Sequence, residues 1–264
     1  MYEFDYHKAK NVKDAVAIAK KQDEAKYLAG GMSLVPPMKL RLAKPGNLID
    51  LNEVGELAGI KVDGKTVAVG AMTRHESVAE SKDVKKAIPA LAKLAGGIGD
   101  PQVRHRGTIG GSLANSDPAA CYPTAVLGLG ATIETDQRKI AADDFFTGLF
   151  ETALKEGELI TKVVFPVPDK ACYIKFPNPA SRFSIVGVFV SKKGNEVRCV
   201  VTGAGPCVFR VKGIEDALKK DFSPKAIENY KHPASGLNSD IHGSAEYRAH
   251  LITVLAKRAV AGAE

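Results

Sequence analysis

Two stretches decide how this chain is read: Ala29-Gly30-Gly31-Met32-Ser33-Leu34, followed by Val35-Pro36-Pro37, and Thr108-Ile109-Gly110-Gly111-Ser112. The first continues Tyr27-Leu28-Ala29, which reads as a strand, into a helical turn. Ser33 is placed to cap that turn, and prolines in a first turn lose no needed N–H. A strand–turn–helix entry lets backbone N–H groups and the helix dipole face an anion such as a pyrophosphate. Glycine matters there because a missing Cβ admits phosphate oxygens to the backbone and permits positive φ. The second stretch offers the same equipment, two glycines flanked by two hydroxyls. A single Gly-Gly is more often a plain tight turn, but two such loops flanked by Ser and Thr point to a dinucleotide held between them.

Outward from these loops, Asn11 is placed to cap a helix whose Val12, Ala15, Val16 and Ala19 share one face. Residues 47–51 read as a strand, and Asp63-Gly64 marks a hairpin between strands at 60–62 and 66–69. Residues 74–94 predict one helix with Ile88, Leu91, Leu94 and Ala95 on one face, and 96–118, rich in glycine and proline, predict a long loop. Strands resume at 131–135 and 159–165. Pro166-Val167-Pro168 reads as a linker. Beyond it, 173–176, 183–191 and 196–202 predict antiparallel strands, the last two joined through Lys193-Gly194-Asn195. Helices near 214–219 and over 245–259 close the chain. In the latter, Tyr247, Leu251, Val254, Leu255 and Arg258 form the stripe expected to face the core.

Several chemistries are excluded by absence. No G-x-G-x-x-G follows a strand and no G-K-[ST] occurs, which argues against Rossmann and P-loop architectures. His7, His75, His105, His232, His242 and His250 include no H-E-x-x-H, and no G-x-S-x-G supplies a hydrolase nucleophile. Cys121, Cys172, Cys199 and Cys207 contain no C-x-x-C pair, so any iron–sulfur centre must sit on another chain. Cys199 and Cys207 approach each other only if they share the end of a hairpin, and unpaired thiols are expected. Asp143-Asp144, ahead of Phe145-Phe146, reads as a helix cap rather than a general-base pair. Arg104-His105-Arg106 lacks interleaved aromatics and reads as a solvated or docking surface, not a nucleic-acid site.

With 264 residues the chain fits one or two domains, and 45% apolar with 25% charged residues is ordinary globular usage. Lys and Arg exceed Asp and Glu by 37 to 30, a net charge of +7. The start, Met1-Tyr-Glu-Phe-Asp-Tyr6, lacks the basic and apolar regions of a signal peptide. With no run of about 18 apolar residues, a cytoplasmic chain without a membrane span is expected.

The segments Ala29-Gly-Gly-Met-Ser-Leu-Val-Pro-Pro-Met-Lys-Leu-Arg41, Thr108-Ile-Gly-Gly-Ser-Leu-Ala-Asn115 and Asp240-Ile-His-Gly-Ser-Ala-Glu-Tyr-Arg248 resemble the FAD-binding medium subunits of molybdenum hydroxylases. The likeness is to the aerobic carbon monoxide dehydrogenase type, with the flavin domain of xanthine dehydrogenase more distant, and it spans nearly the whole chain in order. It implies an α+β protein: a two-subdomain FAD-binding fold of the vanillyl-alcohol-oxidase type, then a C-terminal domain with a small antiparallel sheet and helices. The division expected is 1–165 for FAD binding, with subdomains at about 1–53 and 54–165, and 166–264 for the C-terminal domain.

Position by position, the resemblance assigns Ala29, Gly30, Gly31, Met32, Ser33 and Leu34, with Thr108, Ile109, Gly110, Gly111 and Ser112, to the FAD pyrophosphate through N–H groups and hydroxyls. It gives Ile98 an apolar contact with the cofactor and the backbone of Ile160 a contact with the adenine. Lys175 falls near the isoalloxazine, where its charge favours the anionic reduced flavin. The loop Ser181-Arg182-Phe183 then passes near the ring, with Phe183 to cover it. One position departs from the pattern. Where the family carries Asp in A-x-D-x-P, this chain has Cys121, in Ala119-Ala120-Cys121-Tyr122-Pro123. A carboxylate holds a ribose hydroxyl by a charge-assisted bond, whereas a thiol is a poor acceptor, which leaves Asp117 as the substitute. No catalytic side chain and no metal ligand are assigned.

The function implied is electron transfer. Non-covalently bound FAD collects electrons from the [2Fe–2S] clusters of a small subunit and passes them to an external acceptor. Molybdopterin resides on a large subunit, and the complex is a dimer of heterotrimers. A stand-alone FAD-dependent reductase and a non-catalytic interaction module are the two other readings.

Overall fold

Asn11 accepts the Asp14 N–H at 2.9 Å and starts α1 (Val12–Ala19), as its position predicts. In the computed structural model, which describes residues 1–263, α1 connects β1 (Asp5–Lys8) to β2 (Ala25–Leu28). Glu264, the last residue of the expected C-terminal domain, lies outside the described residues. After the short α2 (Val35–Lys39), β3 (Asn47–Asp50) pairs in parallel with both earlier strands and takes the centre of a three-stranded sheet. Ala15, Ile49, Leu51 and Leu57 fill its core. Ser33 does not cap α2. The cap position is Leu34, without a side-chain bond, because Pro36 and Pro37 remove the N–H groups a cap would serve.

The Asp63-Gly64 hairpin forms as expected between β4 (Ile60–Val62) and β5 (Thr66–Gly70). The single helix expected over 74–94 is instead three: α3 (His75–Glu80), α4 (Lys82–Ala87) and α5 (Pro89–Gly96). Ser81 ends the first and caps the second through the Val84 N–H at 3.3 Å, and Pro89 opens the third. The loop expected over 96–118 holds two further helices, α6 (Pro101–Arg106) and α7 (Ile109–Asn115). Asp100 caps α6 at the Val103 N–H, 2.9 Å, with Pro101 in the first turn. Thr108 caps α7 at the Gly111 N–H, 3.2 Å. Cap residues outweigh glycine content in both.

Then follow α8 (Tyr122–Gly128), β6 (Thr132–Thr135), β7 (Lys139–Ala141), α9 (Ala142–Phe145), the small β8 (Phe146–Gly148) and β9 (Glu151–Thr152) pair, and β10 (Ile160–Pro166). The second sheet is antiparallel in the order β4-β5-β10-β6-β7. Asp143 is neither base nor cap: its carboxylate joins Arg198 at 2.7 Å and Arg210 at 2.9 Å.

Strands β11 (Lys170–Pro177), β12 (Ser184–Lys193), β13 (Glu196–Thr202) and β14 (Phe209–Arg210) form the third sheet in chain order, followed by α10 (Lys212–Lys220) and α11 (Ala245–Ala261). It is covered on both faces. Val186, Val188 and Val190 of β12 share a core with α11, while Phe189 joins the central cluster with Leu127 of α8. Pro166-Val167-Pro168 is therefore a packed connection and not a loose linker: the Val167 N–H meets the Lys65 carbonyl at 2.9 Å and its side chain packs on the central cluster.

The buried residues of α11 are Arg248, Ala249, Leu251, Ile252, Thr253, Leu255, Ala256, Ala259 and Val260, whereas Tyr247 and Arg258 are exposed. The expected stripe shares only Leu251 and Leu255 with them, because the small Ala256 and Ala259 let the sheet approach on the neighbouring side. Among the described residues no disulfide joins the four cysteines, and Cys199 is fully buried. Among the described residues no helix is long and apolar enough to cross a membrane.

Candidate functional site

The loop after β2 and the loop before α7 meet in space. A Cβ on Gly111 would stand 3.6 Å from that of Ala29, and one on Gly30 would stand 2.2 Å from the Arg106 carbonyl oxygen. No larger residue fits at 30 while this seam stays closed. Gly110 is equally constrained from below, where a Cβ would lie 2.6 Å from that of Ala71. Gly31 takes a φ of +75°, the left-handed region that glycine enters freely. Arg74 staples the seam: its guanidinium donates to the Arg106 carbonyl and, at 2.6 Å, to Asn52 Oδ1. Asn52 in turn donates to the Ala29 carbonyl at 3.3 Å. Neither Arg74 nor Asn52 belongs to a recognisable motif, and only the strand end at Asp50-Leu51-Asn52 hinted that polar groups gather here.

The two loops present different chemistry. From Gly30 to Leu34 the N–H groups have no partner among the described residues, while Met32 and Ser33 are exposed. In the second loop every N–H from 109 to 112 is engaged. Ile109 donates to the Thr73 carbonyl at 3.2 Å, Gly110 to Ala71 at 2.8 Å, Gly111 to Thr108 Oγ1 at 3.2 Å and Ser112 to the Thr108 carbonyl at 3.0 Å. Thr108, Ile109 and Gly110 are buried, and Gly111 and Ser112 are half-buried. The expectation of equal donor sets therefore needs correction. The first loop offers a row of free donors, and the second offers close packing and the Ser112 hydroxyl.

Beneath the seam lie two buried polar atoms without a partner, His75 Nδ1 and the Tyr122 hydroxyl, with ring centroids 5.2 Å apart. Gly107 has no room for a side chain, since a Cβ would stand 2.4 Å from His75 Nε2. Burial, with Arg74 and Arg104 nearby, lowers the His75 pKa from 6.5 to about 4, so the imidazole is neutral.

Segment 97–106 runs from this seam to a second group of assigned residues. Lys175 Nζ donates to the Gly97 carbonyl at 2.5 Å and the Arg182 carbonyl at 3.0 Å, and lies 3.6 Å from Cys121 Sγ. Ile98, next to Gly97, is half-buried, and its carbonyl accepts Arg104 at 3.3 Å. Arg104 also pairs with Glu76 at 2.7 Å, so the basic run at 104–106 is partly built into the wall. Cys121 is buried, 3.8 Å from Ser184 Oγ, which lies 3.2 Å from the Tyr173 hydroxyl. Asp117 is half-buried and accepts the Ala119 N–H at 2.8 Å, and burial raises its pKa. Thr202 Oγ1 fixes this stretch by sharing its one proton between the Pro118 and Ala120 carbonyls, both at 2.8 Å.

Phe183 is exposed beside Arg182, whose φ is +61°. Ile160 opens β10 with its side chain in the central cluster, which leaves only its backbone for contact. The third motif stands apart from the loops: Arg248, 3% exposed, grips the Asp240 carboxylate at 2.7 and 2.8 Å and the Ile185 and Gly203 carbonyls, locking the 240–243 turn.

Residues 2–168 match the family described as FAD binding domain in molybdopterin dehydrogenase, and the chain belongs to that family. Its FAD-binding, oxidoreductase character is shared by relatives along the full length. The chain is 36% identical to the carbon monoxide dehydrogenase medium chain of Afipia carboxidovorans, covering 97% of this chain and 95% of that one. It is 34% identical to the glyceraldehyde dehydrogenase medium chain of Sulfolobus acidocaldarius, covering 97% of each. Among solved structures, a carbon monoxide dehydrogenase from Hydrogenophaga pseudoflava superposes with a TM-score of 0.89 at 34% identity, over 98% of this chain and 96% of that one. The mixed helix-and-sheet fold is thus that of a medium subunit.

Proposed function

We propose that this chain is the flavin subunit of a multi-subunit molybdenum hydroxylase, taking electrons from [2Fe–2S] clusters on a partner subunit and passing them to an external acceptor. The observation that carries the reading is the row of unpartnered N–H groups at Gly30, Gly31, Met32, Ser33 and Leu34, set where no side chain at 30 could fit. These groups suit a pyrophosphate. Around them, the Ser112 hydroxyl adds a hydrogen bond, and Asp117 serves the ribose in place of the Asp that Cys121 replaces. The Ile160 backbone meets the adenine, and Ile98 gives an apolar wall. Lys175 brings a positive charge to the ring, with Phe183 as its cover.

Bound FAD supplies one-electron acceptance and two-electron release, the conversion that a relay of clusters requires. The chain's own residues bind, orient and shield, and hold FAD without a covalent link. Residues 1–165 form the FAD-binding part in two subdomains of the vanillyl-alcohol-oxidase type, and 166–264 the C-terminal part. Molybdopterin and the clusters sit on a large and a small partner in a dimer of heterotrimers. Relatives of nearly equal identity are named for carbon monoxide and for glyceraldehyde, so substrate choice lies with the large partner.

The test is to purify the chain alone and titrate it with FAD. The expected result is a flavin absorption spectrum after removal of excess FAD, together with negligible substrate oxidation. A chain that stays colourless in excess FAD, or that turns over substrate unaided, overturns the proposal.

A further inference from the structure

We propose that the end of α2 and the turn after it, Lys39-Leu40-Arg41-Leu42-Ala43-Lys44, with Tyr2 beneath, are the surface on which this chain docks an acidic partner protein of its complex. The proposal rests on the reading above that the chain is one subunit of a heteromer, and it assigns the turn a role outside flavin binding. Leu40 and Leu42 are 70% and 78% exposed, and Tyr2 is exposed as well. Single exposed leucines are ordinary, but here two flank one arginine, and that arginine and Lys44 both lie over the same ring. The Arg41 guanidinium carbon is 5.9 Å and Lys44 Nζ 5.5 Å from the Tyr2 centroid. Among the described residues, no carboxylate pairs with Lys39, Arg41 or Lys44.

The backbone supplies an independent argument. Helix α2 ends with the Leu42 N–H on the Pro37 carbonyl at 2.8 Å and the Arg41 N–H on Met38 at 3.1 Å, while Arg41 itself has a φ of +60°. That left-handed position at a helix end is normally glycine, and an arginine there is strained. Its guanidinium makes no hydrogen bond among the described residues, so no contact of that kind there offsets the strain. Strain held at an exposed position points to a role for the side chain beyond the fold.

The chemistry defines the partner. Two leucines on a pinned turn fill an apolar pocket, and the unpaired cations at 39, 41 and 44 call for carboxylates around it. An anionic lipid surface shares the charge requirement. The apolar element here, however, is a compact knob and not a helix face able to lie in an interface plane, which favours a protein.

The test co-expresses the chain with the large and small subunits of its complex and compares wild type with Leu40→Asp/Leu42→Asp and Arg41→Gly. The double variant is expected to weaken assembly about a hundredfold, equivalent to two rare knobs lost from pockets. Arg41→Gly is expected to raise the melting temperature of the chain alone yet weaken assembly about tenfold, a loss that shrinks as salt rises from about 0.05 M to about 0.5 M. A purely structural role for Arg41 cannot give that opposition. Wild-type assembly by both variants overturns the proposal. So does co-sedimentation of the chain with phosphatidylserine–phosphatidylcholine vesicles that the double variant abolishes, which reassigns the patch to a membrane. Flavin absorbance read on the same samples keeps the two readings apart: assembly of a flavin-free wild-type chain counts against flavin binding, not against the docking surface.

Discussion

The two Gly-Gly loops look alike in sequence and differ in what they leave free. In 30–34 the backbone donors have no partner among the described residues, whereas in 109–112 all four N–H groups bond to the Thr73, Ala71 and Thr108 acceptors. Both loops need glycine because something comes close, the Arg106 carbonyl at Gly30 and the Ala71 methyl at Gly110. A glycine pair therefore reports a close approach without saying whether ligand or protein makes it. The deciding evidence is which N–H groups remain after the fold has bonded its own.

The largest test of this contrast sets Gly30→Ala against Gly110→Ala. A methyl at 30 meets a carbonyl oxygen at 2.2 Å and must part the seam, while one at 110 meets another methyl at 2.6 Å. Both should lose stability through overpacking, about 3 kcal/mol and about 2 kcal/mol respectively. Only Gly30→Ala should lose FAD binding outright, with Gly110→Ala weakening it less than about tenfold. Denaturant midpoints and flavin fluorescence titrations check both. The reverse pattern would assign the donor role to the second loop.

Beneath the seam the comparison acquires a pH dependence. His75 is neutral in the folded chain with a pKa lowered from 6.5 to about 4 by burial and by Arg74 and Arg104. As pH falls below 6.5 the unfolded chain binds a proton that the folded chain refuses, so stability contributed by the neutral form is lost between 6.5 and about 4. The full loss is about 3 kcal/mol. His75→Phe keeps a ring against Tyr122 and removes the titration. Wild type should therefore lose stability relative to the variant as pH falls from 6.5 toward 4, and a difference in unfolding free energy that does not change with pH would count against it.

Much of the fold is legible where local chemistry is decisive. Asn11 at the start of α1, Asp63-Gly64 in its hairpin and the Lys193-Gly194-Asn195 turn between β12 and β13 each satisfy a local rule. The failures share a cause. Residues 96–118 read as loop because their glycines mask the caps Asp100 and Thr108, and the stripe on α11 reads as rotated because Ala256 and Ala259 are weak periodic signals that matter only once a sheet presses on them. At the site, the assigned loops were visible as motifs. The Arg74–Asn52 staple was not, since a side-chain bond joins residues 22 apart and the pair clamps the Arg106 and Ala29 carbonyls, which no side-chain pattern encodes. The orphan atoms of His75 and Tyr122 depend on burial, which tertiary packing alone sets.

A smaller effect tests whether the second loop acts through its fold. Thr108 Oγ1 accepts the Gly111 N–H as the cap of α7 and is itself buried. Thr108→Val preserves shape and removes the acceptor, freeing one N–H beside the first loop. Stability should fall by about 1 kcal/mol, the ordinary value of a lost cap. FAD affinity should change by less than about threefold, because the cap holds the helix and not the ligand. A loss of affinity far beyond that would mean that the hydroxyl contacts the cofactor directly.

The smallest expected effect is at Ser33, and it separates the two roles a serine in that loop can have. Its side chain is exposed and makes no hydrogen bond among the described residues, and Leu34, not Ser33, takes the cap position of α2. Ser33→Ala should therefore leave the unfolding free energy within about 0.5 kcal/mol of wild type, as surface substitutions do. If the hydroxyl bonds a phosphate oxygen, FAD binding weakens by about 1 kcal/mol, roughly fivefold. Ser33→Gly, which keeps the N–H and removes the same hydroxyl, should match it. Should Ser33→Ala instead lower stability while leaving affinity alone, the hydroxyl would be serving the helix after all, and Ser33 would offer the ligand only its N–H.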